Sequence, residues 1–310
     1  MIKFYHKTIK DPQPNILDEF KIGSWIYVEN PNAQELKNIS QNFNLELGHL
    51  QDALDPLEVP RLEIEQGIVY IFTRLPYKEN GKITTCPALI VLGEAFVLTI
   101  SAKPLSFLEK FTKGTINFNT TQKTKLILQI CSEIISSYNH LLTEIGRVAR
   151  GSLVDLEKID NKDIIQLVIT EATLNDFLTA LIPTNAILNN LLSANFSVKA
   201  LELYEEDKNL IEDLFLSTGQ LIELCKGTLK TSVNIREAYS TIMTNNLNRV
   251  IKFFTALTVI MTIPMIVGGF YGMNIKLPFG NHPLAFFGVI GVTILIIATI
   301  LTIFVKKKWI

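Results

Sequence analysis

The sequence predicts an α+β membrane protein: a cytoplasmic α/β domain, a long helical stalk, and two transmembrane helices near the C-terminus. Three observations predict it. Two uncharged runs, Phe253 to Ile275 and Pro283 to Val305, stand near the C-terminus. Each is about 23 residues, enough at 1.5 Å per residue to cross a hydrocarbon core of roughly 30 Å. Short apolar runs rich in β-branched residues occur in the first third of the chain, and helical periodicity fills the stretch between. The expected segments are an α/β domain over 1–120, a helical domain with its stalk helix over 121–248, and a first transmembrane helix over 249–274. An external loop over 275–283 follows, then a second transmembrane helix with a basic tail over 284–310.

In the first segment, Phe20 to Val28 predicts a strand, and Pro31 to Phe43 predicts a helix opened by Asn30 or Asn32. Further strands are expected at Leu62 to Ile64, Gly67 to Thr73, Cys86 to Leu92 and Ala95 to Ser101, with Asn80 and Gly81 supplying a hairpin turn. Helices follow over Thr121 to Leu156 and Lys162 to Leu192, joined through Asp160, Asn161 and Lys162. Pro183 is expected to bend or end the second, because it lacks an N–H and crowds the preceding turn. From about Glu205, glycine is sparse and proline absent until Pro264, which permits one helix from the stalk through the first span.

A 3.5-residue seam drawn back from Gly272 passes Gly269, Met265, Thr262, Thr258, Thr255, Ile251 and Asn248. It continues through Thr244, Thr241, Glu237, Asn234, Lys230, Gly227, Glu223, Gln220, Leu216, Asp213 and Asn209. The seam is polar or small almost throughout. The neighbouring seam holds Leu210, Leu214, Leu221 and Leu224 in the stalk and Val259, Ile263, Ile266 and Phe270 in the membrane; Ser217, Thr228, Thr231, Asn245, Arg249 and Lys252 interrupt it, so it predicts a packing face only in stretches. A polar stripe beside an apolar one is what a water-filled lumen requires. The same stripe also suits solvent-facing stalk positions and threonines bonded back to their own helix.

Arg249 and Lys252 before the first run and Lys306, Lys307 and Lys308 after the second place both termini in the cytoplasm, in the cell (inner or plasma) membrane. Only Lys276 lies in the connection. The N-terminal MIKFYHKTIK has no apolar stretch of a secretory signal. All 30 Asp and Glu lie at or before Glu237, whereas six of the 29 Lys and Arg follow it, so the soluble part is acidic. That argues against nucleic acid as a partner and suits metal cations. Cys86, Cys131 and Cys225 are too scattered for a disulfide framework or a thiolate metal site. His6, His49, His140 and His282 have no metal-ligand spacing, and there is no phosphate-binding G-x-x-x-x-G-K-[ST] loop. Hydrolytic catalysis, ATP use and a bound cofactor are all unsupported, and no enzyme is expected.

At Tyr271, Gly272, Met273 and Asn274, the chain resembles the CorA family of divalent-cation transporters. The likeness extends to SWIYVENPNAQEL, to DALDPLEVPRLEIEQGIVYIF, to YSTIMTNNLNRVIKFFTALT, to Pro264 and to the KKKWI terminus, so it covers effectively the whole chain. The resemblance implies a homopentameric funnel in the bilayer, with first spans lining the pore. Two spans cannot enclose a hydrophilic path alone, so assembly with further copies is required physically as well. It implies a selectivity filter at Gly272, Met273 and Asn274, and a path lined by Asn248, Ile251, Thr255, Thr258, Thr262, Met265 and Gly269. A hydrophobic gate falls at Ile251 and Phe254, and a regulatory metal position at Asp213. Mg²⁺ is then both substrate and regulatory ligand, with Co²⁺ and Ni²⁺ also carried and uptake driven by membrane potential. Many members have glutamate in the external loop, whereas Ile275 to Pro283 has none, which keeps a proton-coupled Zn²⁺ transporter in view. A non-conducting membrane-tethered metal sensor or scaffold is the alternative from another class.

Overall fold

A computed structural model describes residues 1–151, 160–193, 203–274 and 283–309 of the chain. The described residues form two compact units, Met1–Ile235 and Arg236–Ile310.

Unit one is built on a seven-stranded mixed sheet: β1 (Ile2–His6), β2 (Asn15–Leu17), β3 (Ser24–Glu29), β4 (Arg61–Glu65), β5 (Ile68–Glu79), β6 (Lys82–Leu92) and β7 (Phe96–Ser101). The order is β2-β1-β3-β7-β6-β5-β4, and the β3–β7 pair alone is parallel. The inner strands read as unbroken apolar runs because both faces are covered. Trp25, Tyr27, Val69, Ile71, Ile90 and Val97 point into one core, and Ile26, Val28, Tyr70, Phe72, Val91 and Leu98 into the other. On the second side lie α1 (Ala33–Phe43) and α2 (Leu47–Asp52). Across the sheet, the other core takes in α3 (Leu108–Thr112), α4 (Lys123–Gly151), α5 (Asn161–Leu192) and the start of α6 (Glu205–Tyr271).

Local chemistry explains the boundaries. Asn32 caps α1: its side chain accepts from the Glu35 N–H at 2.9 Å, while the Glu35 carboxylate accepts from the Asn32 N–H at 2.8 Å. This reciprocal pairing satisfies two otherwise unpaired donors of the first turn. Asn80 and Gly81 have φ of 51° and 79°, the two positive values that a two-residue hairpin turn needs between β5 and β6. In the segment 52–72, the Arg61 guanidinium stacks 3.7 Å from the Phe72 ring centroid and donates to Asp52 at 2.8 Å, and also to Glu58 and Glu63. Arg74 donates to the carbonyls of Pro56 and Glu58, at 3.0 and 2.6 Å, and so ties down the same loop.

Several expectations need correction. The strand expected from Phe20 begins at Ser24, because Gly23 adopts φ 83° and turns the chain into the sheet. The β5 and β6 strands reach the hairpin turn instead of stopping at Thr73 and starting at Cys86. Helix α4 starts at Lys123 instead of Thr121, and its expected end at Leu156 lies outside the described residues. Asp160 is the N-cap of α5, accepting from the N–H groups of Lys162 and Asp163, so Asn161 and Lys162 are helical instead of turn residues. Helix α5 runs on through Pro183. The carbonyl left without its helical donor belongs to Thr179, an exposed residue, where water can serve it.

In the stalk the packing seam has a different phase from the expected one. Ile211, Leu214, Thr218, Leu221, Cys225, Thr228, Ser232 and Ile235 form a buried line alternating three and four apart, with Asp207 and Ile222 buried besides, whereas Leu224 is 40 % exposed. Thr228, expected as an interruption, is one of these buried positions, with Thr218 and Ser232. Thr218 and Thr228 fit because they donate their hydroxyls to the carbonyls four residues earlier, at 2.7 and 2.8 Å.

Unit two comprises the rest of α6 and α7 (Ala285–Lys306). Among the described residues, α5, α6 and α7 are long and apolar enough to cross a membrane. Helix α5 spends that apolar surface on the core of unit one, through Leu167, Leu174, Phe177 and Leu181.

Candidate functional site

Helix α6 runs without a break through Pro264 to Tyr271, so the residues of the polar seam share one continuous helix. Asn248, Ile251, Thr255, Thr258, Thr262, Met265 and Gly269 are all exposed in the single chain, Met265 at 75 %. Phe254 is exposed as well and contacts Phe253 edge to face, with centroids 5.7 Å apart.

The face that α6 turns toward α7 is a different one. Pro264, Val267, Gly268 and Tyr271 border two grooves whose other wall is Ala285, Phe286, Val289 and Thr293 of α7. At about 100° per residue, this face lies on the far side of the helix from Thr255, Thr258, Thr262 and Gly269. Of the expected packing face, Phe270 borders the second groove and Ile263 is half-buried, whereas Val259 and Ile266 are exposed on the flank, Ile266 at 53 %. Within a bilayer an apolar face carries no preference for protein over lipid, so small residues mark the contact instead. Gly268 borders the first groove but is not such a contact, since a Cβ built on it would meet nothing within 4 Å.

Each seam threonine in the span donates to its own helix: Thr255 to Ile251 O at 2.8 Å, Thr258 to Phe254 O at 2.8 Å, and Thr262 to Thr258 O at 2.7 Å. The hydroxyl proton is committed, but the oxygen keeps its lone pairs. Each threonine is therefore an acceptor toward whatever faces the seam. Back-bonding and a polar lining are compatible.

The α6 helix ends at Tyr271. Gly272 N–H donates to Gly268 O at 2.9 Å, and Met273 N–H to Phe270 O at 3.3 Å. A Cβ added at Gly272 would stand 3.3 Å from the Gly268 oxygen, tighter than ordinary contact, which suits glycine to this exit. Asn274 is exposed just beyond. The last carbonyls of a helix carry partial negative charge, so Gly272, Met273 and Asn274 sit where a cation is favoured.

Asp213 is exposed on α6. Among the described residues no three His, Cys, Asp or Glu side chains converge as a metal site. Cys86 and Cys225 are buried and free, and Cys131 is half-buried and free.

A soluble α/β unit whose last helix continues into an apolar pair, with one exposed polar stripe along the apolar stretch, defines a membrane transport protein and not an enzyme. The model of the family described as CorA-like Mg²⁺ transporter protein matches residues 21–307, and the chain belongs to that family, whose members are channels and transporters. It is 25 % identical over 304 residues to the cobalt/magnesium transport protein CorA of Methanocaldococcus jannaschii, covering 92 % of this chain and 91 % of that one. A magnesium transport protein CorA of Campylobacter jejuni is 33 % identical over 108 residues, 33 % of each chain. The complete structure of the M. jannaschii CorA magnesium transporter aligns with a TM-score of 0.85 and 24 % identity, covering 100 % of this chain and 99 % of that one. Full-length CmaX aligns at 0.75 with 15 % identity over 96 % and 97 % of the two chains, a likeness of fold.

Proposed function

We propose that the chain is one subunit of a homopentameric channel that admits Mg²⁺, and also Co²⁺ or Ni²⁺, driven by the membrane potential. The observation that carries this reading is the exposed acceptor ladder of α6, facing away from α7 and ending at Asn274. Copies arranged around a common axis would turn that ladder inward, and each α7 outward to lipid.

Mg²⁺ surrenders its water reluctantly, so a filter does best to bind the hydrated ion. Carboxamides of Asn274 accept hydrogen bonds from that water without the tight hold of a carboxylate ring, and Gly272 keeps backbone carbonyls near it. Thr262, Thr258 and Thr255 then meet the moving hydration shell as acceptors, the role their back-bonded hydroxyls leave open. Ile251 and Phe254 form the apolar constriction, which closes by excluding water, and Met265 narrows the path above it. Asn248 is the polar exit, and the basic Lys306 to Lys308 anchor the second span at the cytoplasmic side. Asp213 contributes to a regulatory cation site between neighbouring subunits, through which internal Mg²⁺ closes the pore.

ATP is unnecessary for the driving force. A divalent ion gains about 4.6 kcal/mol per 100 mV, an accumulation on the order of 10³.

The test is Mg²⁺ entry into proteoliposomes under an inside-negative potential, with the native chain and Asn274→Ala. Entry that follows the potential and is lost in the variant supports the reading. No Mg²⁺ entry, with Zn²⁺ entry that follows a proton gradient, would overturn it.

A further inference from the structure

Unit one holds a second site-like feature, far along the chain from the seam. A hollow of about 620 Å³ opens between the hairpin end of β5, the segment after β7, α3 and α4. Its volume falls in the range of pockets that hold small organic ligands. The charged groups that line it are Lys78, Lys103, Lys110 and Glu79, with His140 at one wall. With Glu133 and Glu144 behind the wall, the three ammonium groups are matched by three carboxylates, and it is mainly the ammonium side of the cluster that lines the hollow.

The lysines are held in place without being used up. Lys103 donates to Glu79 at 2.8 Å, Lys110 to Glu133 at 2.6 Å, and Lys78 to Glu144. Glu133 and Glu144 do not line the hollow, so they orient their lysines from outside it. An ammonium carries three N–H groups, and one pairing leaves two for a ligand. The Lys78–Glu144 and Lys103–Glu79 pairs are solvent-exposed and contribute little to stability, so an anion can share them at small cost, whereas the largely covered Glu133 holds Lys110 more firmly. Ser106 and Ser136 add hydroxyl donors at the wall.

One wall is apolar. Lys103 Nζ stands 5.5 Å from the centroid of the half-buried Tyr77 ring, and Pro76, Pro104 and Leu141 continue the surface. A ligand that satisfies both halves has a multiply charged anionic end and a flat ring.

We propose that this hollow binds a nucleoside triphosphate, its phosphates among Lys78, Lys103 and Lys110 and its base against Tyr77. The site is separate from the conduction path and implies no hydrolysis.

The test is calorimetric titration of the full chain in detergent with ATP, in EDTA so that no metal takes part. Saturable binding of one ATP per chain is expected. The triple variant Lys78→Gln, Lys103→Gln, Lys110→Gln should abolish it, and the corresponding triple Arg variant should keep it, since charge and not ammonium shape is required. Tyr77→Leu should weaken ATP roughly tenfold, the worth of one ring contact, and leave inorganic triphosphate unchanged. Unchanged unfolding temperatures in the variants would separate lost binding from lost folding. The proposal is overturned if the native chain shows no saturable ATP binding or if binding survives the triple Gln variant. It is also overturned if inorganic triphosphate binds as tightly as ATP. The readout is binding and not flux, so its failure leaves the conduction reading untouched.

Discussion

The threonine ladder sets the sharpest residue-scale expectation. If Thr258 and Thr262 serve as acceptors, changing both to Val removes the oxygen at nearly constant volume, and changing both to Ser restores it. Mg²⁺ entry into liposomes is expected to fall several-fold in the Val pair and to persist in the Ser pair; equal flux in all three would remove the ladder from the path. The three thiols give a second expectation. Burial pushes Cys86 up to about 11, and Cys131 and Cys225 each up to about 12. The nucleophile is the thiolate, so alkylation by iodoacetamide at pH 8 should be slow in the native chain and complete after denaturation. The sign of the linked stability follows: unfolded thiols ionise near pH 8.5 while folded ones stay protonated. Stability is therefore full below that pH and declines as pH rises toward 11 to 12, which pH-dependent denaturation can read. The candidate filter at Gly272, Met273 and Asn274 rests on the resemblance carried by Tyr271 to Asn274, and α6 ends at Tyr271 just before it. Asp213 was placed by counting along the helix, and among the described residues no three metal-ligating side chains converge.

At the scale of elements, what could be read depended on how each strand or helix buries itself. The strands covered on both faces, β5, β6 and β7, stand out as apolar runs, whereas β1 and β2 have half-exposed faces and no such run. Helix α2 has six residues and a single buried position, Leu50, too little for a periodic signal. Helix α1 was expected from Pro31 with Asn30 or Asn32 as its cap; it starts at Ala33, and Asn32 is the cap. Asn32→Ala should therefore cost about 1 kcal/mol, seen as a lower denaturant midpoint, while Asn30→Ala should not act through that cap. The phase of the stalk seam was misread for a physical reason. Thr218 and Thr228 are buried, and their hydroxyls, bonded along the helix, behave as small packing groups there, while the buried Ser232 is small enough to pack without such a bond. Inside the apolar stretch, hydrophobicity could not tell the α7-facing side of α6 from the flank beside it, because both are apolar.

For the whole molecule, charge placement fixes an expected topology. The acids stop at Glu237, and the basic residues beyond it flank the apolar helices. In intact cells, His282→Cys, in the short connection between α6 and α7, should react with a membrane-impermeant maleimide, provided the native thiols are first replaced by Ala. A cysteine placed at Lys308 should react only after permeabilisation; the opposite pattern would invert the orientation. One further consequence arises from the β3–β7 pair. The strands β1, β2 and β3 leave a synthesising ribosome first, yet the neighbour that completes β3 is Phe96–Ser101. Until that segment emerges, β3 presents an open edge, and at roughly 5 to 20 residues per second the wait lasts several seconds. Nascent chains halted before Phe96 are thus the ones expected to recruit chaperones or pair with one another, and those halted beyond Ser101 are the first in which the N-terminal strands resist protease.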